Sequence, residues 1–148
     1  MSTLRLALDE ADAAQLLAHL QAADANFVPP LSSRLDLAPY ADKLAARARR
    51  IEAWDGDLLA GCIAIYADDA DRGGYISNVS VLPSHQGQGL AGQLLERTVL
   101  LAVELGLPRI RLEVHPDNAP ARALYRRHGF RSAPSPAGDP SLILERVL

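Results

Sequence analysis

Apolar and polar positions alternate over residues 3–8, which predicts an opening strand. Leu16, Leu17 and Leu20 then fall at helical spacing and predict a helix over 9–23, with Asp9 as its N-cap. Pro29-Pro30 and Ser32-Ser33 mark 26–33 as a loop. Leu37, Tyr40, Leu44 and Ala48 share one face of a second helix over 36–49. Beyond it the period shortens. Strands are predicted at 50–54, 58–66 and 74–82, joined by the Asp55-Gly56-Asp57 hairpin turn and an acidic, glycine-containing turn at 68–74. The longest helix is predicted at 90–105, stopped by Gly106 and Pro108. A strand at 109–115 follows. A helix then opens at Pro116-Asp117-Asn118 and runs to His128, where Gly129 ends it. A strand begins at Phe130-Arg131, 134–140 is a loop, and 141–147 is the last strand.

This order, β-α-α-β-β-β-α-β-α-β-β, predicts an α+β fold of three α/β/α layers. Its central sheet is twisted and mostly antiparallel, of about six or seven strands, with one β-α-β crossover near its middle. No linker divides the chain, so 1–148 reads as a single domain. Composition adds exclusions. With 49% hydrophobic and 22% charged residues the chain is ordinary for a globular protein, and a net charge of −3 argues against nucleic acid as a general partner. The lone cysteine, Cys62, cannot form an internal disulfide and reads as a small buried apolar residue. The longest apolar run, 58–67, is about half of what a bilayer requires, so no membrane partner is expected. The N-terminus runs directly into Asp9, Glu10 and Asp12 and does not read as a signal peptide, which makes a cytoplasmic location the expectation.

Candidate chemistry gathers after the third middle strand, where the chain reads Val-Leu-Pro-Ser-His-Gln-Gly-Gln-Gly-Leu-Ala-Gly over 81–92. Gly87 and Gly89 lie between strand and helix, and small residues let a backbone approach a ligand. A helix start carries free N–H groups and partial positive charge, so the segment suits a pyrophosphate. It is not a P-loop, because Leu90 rather than Lys follows Gly89. Nor does it follow the first strand of a parallel sheet, as a dinucleotide turn does. A glycine-rich connection with no ligand fits the spacing as well. His85 reads as a solvent-facing loop residue.

The segment resembles the coenzyme motif of the GNAT acetyltransferase superfamily, Gln/Arg-x-x-Gly-x-Gly/Ala, at Gln86, Gly89 and Ala91. A second run, 118–130, is similar to that family's Asn-x-x-Ala-x-x-Leu-Tyr-x-x-x-Gly-Phe pattern at Asn118, Ala121, Leu124, Tyr125, Gly129 and Phe130. Two motifs in this order, about 30 residues apart, are hard to reach by chance, and the likeness spans roughly 50–130. The resemblance implies acetyl-CoA as co-substrate, with no metal. The pyrophosphate would lie on Gln86, Gly87, Gln88, Gly89, Leu90, Ala91 and Gly92, and the pantetheine arm along Val79, Ser80 and Val81. Asn118, Ala121 and Tyr125 complete the implied coenzyme set.

The implied reaction is direct attack of an amine on the thioester. Tyr125 is the candidate acid for the leaving thiolate, because a phenol near pKa 10 can protonate it. Many family members carry a glutamate on the strand before the glycine turn. Here Tyr75, Ser77 and Asn78 stand there, none a base at neutral pH. A water chain held by Ser77 or Asn78 is the leading alternative, with Glu113 and His115 on the next strand behind it. Phe27, Arg34 and Tyr40, with the 134–140 loop, are candidates for the acceptor pocket. The expected partner is a small-molecule amine, with an amino sugar as one candidate and an N-terminal peptide or a polyamine as others. An acyl-CoA sensor without turnover is a different class left open. Arg122, Arg126 and Arg127 either meet the 3′-phosphate or form a solvated basic face. The chain is expected to be a monomer or homodimer.

Overall fold

The computed structural model describes residues 4–135 and 141–148. Along the chain run β1 (Leu4–Leu8), α1 (Ala13–Ala23), α2 (Leu37–Arg47), β2 (Arg49–Asp55), β3 (Leu58–Tyr66) and β4 (Gly74–Val81). They are followed by α3 (Leu90–Glu104), β5 (Arg109–Val114), α4 (Ala119–Arg127), β6 (Arg131–Ala133) and β7 (Leu142–Val147). The predicted start of the first strand at residue 3, and residues 136–140 of the predicted loop, lie outside the described residues.

The strands form one sheet in the order β1-β2-β3-β4-β5-β7-β6. Every pairing is antiparallel except β4 with β5, which α3 joins as a crossover. Helices cover both faces, so β3 is buried almost along its length, from Leu59 to Ile65. On one face Leu90, Leu94, Leu95 and Ala102 of α3, with Tyr125 of α4, pack on Ile63, Ile65, Ile76, Ile110 and Leu112. Gly61 lets α3 lie this close, since a Cβ there would stand 2.9 Å from Leu94 Cδ1. On the other face Leu16, Leu20 and Leu44 of α1 and α2 pack on Trp54, Cys62 and Ala64.

Two local expectations need correction. Asp9 does not cap α1; it sits at φ 58°, and its carboxylate accepts from Arg50 N and Arg49 Nε, both at 2.7 Å. Pairing of β1 with β2 holds residue 8 opposite Ile51, so Asp9 is committed to the next strand. The cap is Asp12, which accepts from Gln15 N at 2.8 Å while the Gln15 side chain accepts from Asp12 N at 2.9 Å, a reciprocal capping box. The 26–33 stretch is also more ordered than a plain loop. It contains the short 3-10 turn Leu31–Ser33, with Leu31 buried, and the Asp24 carboxylate accepts from Ser32 N at 2.7 Å and Ser32 Oγ at 2.6 Å.

The feature that positions the site is in β4. Ile65 pairs with Ile76 but Ala64 pairs with Asn78, so Ser77 is the extra residue of a bulge. A bulge bends its strand and increases the local twist. The β4–β5 ladder runs only from Gly74↔Ile110 to Ile76↔Leu112, while β4 stays paired to β3 as far as Val81. Beyond the bulge the β5-facing edge of β4 therefore has no strand partner among the described residues.

Candidate active site

After β4 the chain makes a 3-10 turn, Pro83–His85, then passes Gln86 and Gly87 to Gly89, the N-cap of α3. Gly87 and Gly89 take φ of 78° and 75°, a left-handed backbone that costs side chains strain, and open space lies where a Cβ would be. No side chain caps α3. Gln93 N bonds Gly89 O, but the N–H groups of residues 87 to 92 have no acceptor among the described residues. Donors left unpaired at a helix start, beside glycines that leave room, make an anion site. Gln86, the first motif residue, donates from Nε2 to Val81 O at 3.1 Å and braces the turn. His85 departs from the reading as a solvent-facing residue. Its side chain is 12% exposed, with Nε2 2.8 Å from Asp55 Oδ2 and Nδ1 2.7 Å from Ser84 Oγ, pinning the turn to the β2–β3 hairpin.

Next to the open edge of β4 lies a cavity of about 320 Å³, between β4, β5, the start of α4 and the 27–34 segment. That is enough for a small ligand. It brings together Phe27, Arg34, Ser77, Asn78, Val79, Glu113, Asn118 and Tyr125 of the predicted set, with His115 beside them. Tyr125 is buried, packs edge-on to Phe130 at 6.0 Å between ring centroids, and has no hydrogen-bond partner among the described residues. Burial pushes its pKa up to about 12, so the phenol stays protonated and able to donate. Asn118 caps α4, accepting from Ala121 N at 3.3 Å. Glu113 and Arg34 have no ionic partner among the described residues. Arg122 turns back to donate to Pro116 O at 3.0 Å. Gly92 faces His128 and Leu124 of α4.

One of the predicted residues does something different from what was expected. Tyr40 stands behind the bulge rather than lining the cavity: its hydroxyl donates to Ser77 O at 3.0 Å and lies 2.6 Å from Ser77 Oγ. Burial raises its pKa above that of an ordinary phenol, so it stays protonated, and either hydroxyl can be the donor in the Ser77 Oγ contact. Ser80, whose backbone is the part expected to meet the pantetheine arm, has its Oγ bonded to His19 Nε2 at 2.7 Å and accepting from Asn78 Nδ2 at 2.9 Å. His19 is absent from the set that the sequence predicts. A polar residue on the buried face of α1, and the i, i+2 pair Asn78 and Ser80 on one face of β4, are the signals that point to it. Val28, Pro29 and Leu31, from the same segment as Phe27, also line the cavity, as does Ser141.

A bulged strand splayed from its parallel neighbour, with unpaired amides at the helix start beside the splay, defines the GNAT-like acyltransferase fold class. The chain belongs to the acetyltransferase (GNAT) family, whose model matches residues 15–130. Streptothricin acetyltransferase of Streptomyces lavendulae is 38% identical over 76 residues, 51% of this chain and 40% of that protein. The chain spans about half the length of the curated relatives it matches first. Among solved structures, an acetyltransferase of Bacillus subtilis in complex with CoA is similar with a TM-score of 0.75 at 23% identity, covering 99% of both chains. The ribosomal-protein-S18-alanine N-acetyltransferase of Escherichia coli gives a TM-score of 0.77 at 24% identity, covering 99% of this chain and 94% of that one. No helix among the described residues is long and apolar enough to cross a membrane.

Proposed function

We propose that the protein is an acetyl-CoA-dependent N-acetyltransferase that acylates a primary amine of a small molecule by direct attack. The observation that carries this reading is the row of unpartnered amides at 87 to 92, set beside the free edge of β4. Those amides suit the two charges of a pyrophosphate, and the free edge suits an extended amide-bearing chain, which pairs with it as an added strand. Bound there, the coenzyme supplies an activated thioester.

The chain supplies orientation and proton handling. The residues holding the thioester end are Val79, Val81 and the bulge. Tyr125 donates to the sulfur as the C–S bond breaks and the N–C bond forms. The amine proton leaves on the other side of the cavity. Ser77 is a poor candidate to receive it, since its hydroxyl is committed to Tyr40. Asn78, through water, and Glu113 across the splay are the remaining groups on that path. Phe27 and Arg34 bound the acceptor side, and the modest cavity favours a small amine.

A second acceptor class, a peptide N-terminus, draws support from the fold shared with the ribosomal-protein-S18-alanine enzyme. Thiol release from acetyl-CoA, followed with a panel of amino sugars, polyamines and short peptides, tests both. Amine-dependent release with a mass gain of one acetyl group on a small amine is expected. Release confined to peptides moves the acceptor class, and CoA binding without release to any amine overturns the enzyme reading in favour of an acyl-CoA sensor.

A further inference from the structure

α3 carries two stripes of helical period. Leu90, Leu94, Leu95, Thr98 and Ala102 are buried against the sheet. Arg97, Leu100, Leu101 and Glu104, spaced i, i+3, i+4 and i+7, form a second stripe beside it. Leu100 is 58% exposed, and Arg97 and Glu104 are exposed as well. β1 is the edge strand of the sheet, whereas α3 packs nearer the middle. Between them runs a groove of about 300 Å³. Its helix wall is that second stripe, and its sheet wall is Leu6, Ala7, Leu8 and Ile51. Leu8 is 42% exposed. The groove is therefore apolar, and the charged side chains that line it are Arg97 and Glu104.

Those two charges are opposite in sign and flank Leu100 and Leu101 evenly, three residues before the pair and three after it. Neither side chain has an ion pair or hydrogen bond among the described residues. They stand one heptad apart, about 10.5 Å along the helix axis. A two-fold axis passing between Leu100 and Leu101 turns this arrangement onto itself. It sets Arg97 against Glu104 of the partner subunit, and Glu104 against Arg97 of the partner subunit, with the leucines of both helices between them. A patch that complements itself under a two-fold rotation is what an isologous contact requires. A lipid surface would draw instead on basic flanks. A second copy of this chain is the occupant whose charges match.

We propose that this face of α3 and β1 is a self-association surface: two copies pair across a two-fold axis with their α3 helices antiparallel, and the leucines of each enter the groove of the other. Burying Leu8, Leu100 and Leu101 supplies the apolar driving force. The two Arg97–Glu104 contacts fix register and direction more than they add affinity. None of the groove residues lines the cavity of the candidate active site, so the pairing stands whether or not acetyl transfer is found.

Sedimentation velocity on the full chain over a dilution series tests this. Wild type is expected to sediment as a dimer that gives way to monomer on dilution. Arg97→Glu makes both charges of the face acidic, and Glu104→Arg makes both basic, so each variant repels its own copy. Each is expected to weaken self-association about tenfold or more. An equimolar mixture of the two variants restores opposite charges at both contacts, and is expected to pair about as well as wild type. Leu100→Ser leaves the charges alone and removes apolar area, and is also expected to weaken pairing. All three positions are exposed or unpaired within the chain, and circular dichroism checks that the variants keep their helix content. A wild type that stays monomeric throughout overturns the proposal. So do charge variants that self-associate as wild type does, or a mixture of folded variants that fails to pair.

Discussion

Tyr125 is recognisable in the amino-acid sequence because Asn118, Ala121, Leu124, Gly129 and Phe130 surround it in a motif. Its chemistry, however, comes from burial. A phenol raised to about 12 is not deprotonated at working pH, so it is able to donate a proton and unsuited to take one. Tyr125→Phe keeps the ring against Phe130 and removes only the hydroxyl. It is expected to lower kcat by about 10- to 100-fold while the dissociation constant for CoA, read by calorimetry, stays close to wild type. An unchanged kcat removes Tyr125 from the reaction. Asn78 and Ser77 show the opposite case. They are adjacent, both are candidates by residue type, and only their partners separate them: Ser77 is tied to Tyr40, whereas Asn78 keeps one unpaired oxygen.

At the scale of elements, the turn into α3 is readable because its requirements are local. A strand end, glycines and a helix start suffice to predict a row of free amides. Gly89 is the residue on which that geometry turns, since it caps α3 with φ 75° and has open space around it. Gly89→Ala therefore meets no clash and incurs only backbone strain, about 1–2 kcal/mol. CoA binding is expected to weaken about tenfold as the first amides re-aim, measurable by calorimetry on a variant that still unfolds cooperatively. The misplaced N-cap at Asp9 marks the limit of local reasoning. Asp9 and Asp12 are equivalent as residue types, and pairing of β1 with β2 decides between them by giving Asp9 to Arg49 and Arg50.

At the scale of the molecule, one buried ion pair ties the α1–α2 layer to the sheet. Glu52, fully buried on β2, accepts from Glu10 N at 3.0 Å, Ala11 N at 3.1 Å and Trp54 Nε1 at 3.1 Å, and from Arg50 Nε at 3.3 Å. Arg50 in turn donates to Leu44 O, Ala48 O and Ala11 O. Glu52→Ala leaves a buried guanidinium and several amides unpaired and is expected to cost about 3–5 kcal/mol, a large part of the ~5–15 kcal/mol available to a domain. Urea denaturation should show it as a lowered midpoint. His19 adds a pH dependence. Its folded pKa is depressed, so the unfolded chain takes up a proton near pH 6.5 before the native state does. Stability from this group is complete above about pH 6.5 and declines as pH falls from there toward the native pKa. The urea midpoint of His19→Gln is expected to fall less over the same interval.

The sequence by itself determined the element order, the crossover around α3, the glycine turn that opens α3 and the Tyr125 helix. Each rests on periodicity, turn chemistry or a motif within a few residues of itself. Only the tertiary structure decided that Ser77 is a bulge residue, that β4 parts from β5 after Ile76, and that His19, Ser80 and Asn78 form one chain of hydrogen bonds. Those depend on groups some 15 to 60 positions apart along the chain, such as His19 with Ser80 and Asn78 with Cys62. A hydrogen bond has a direction only once both partners are in place, so the chemical sense of Asn78 is a property of the folded molecule.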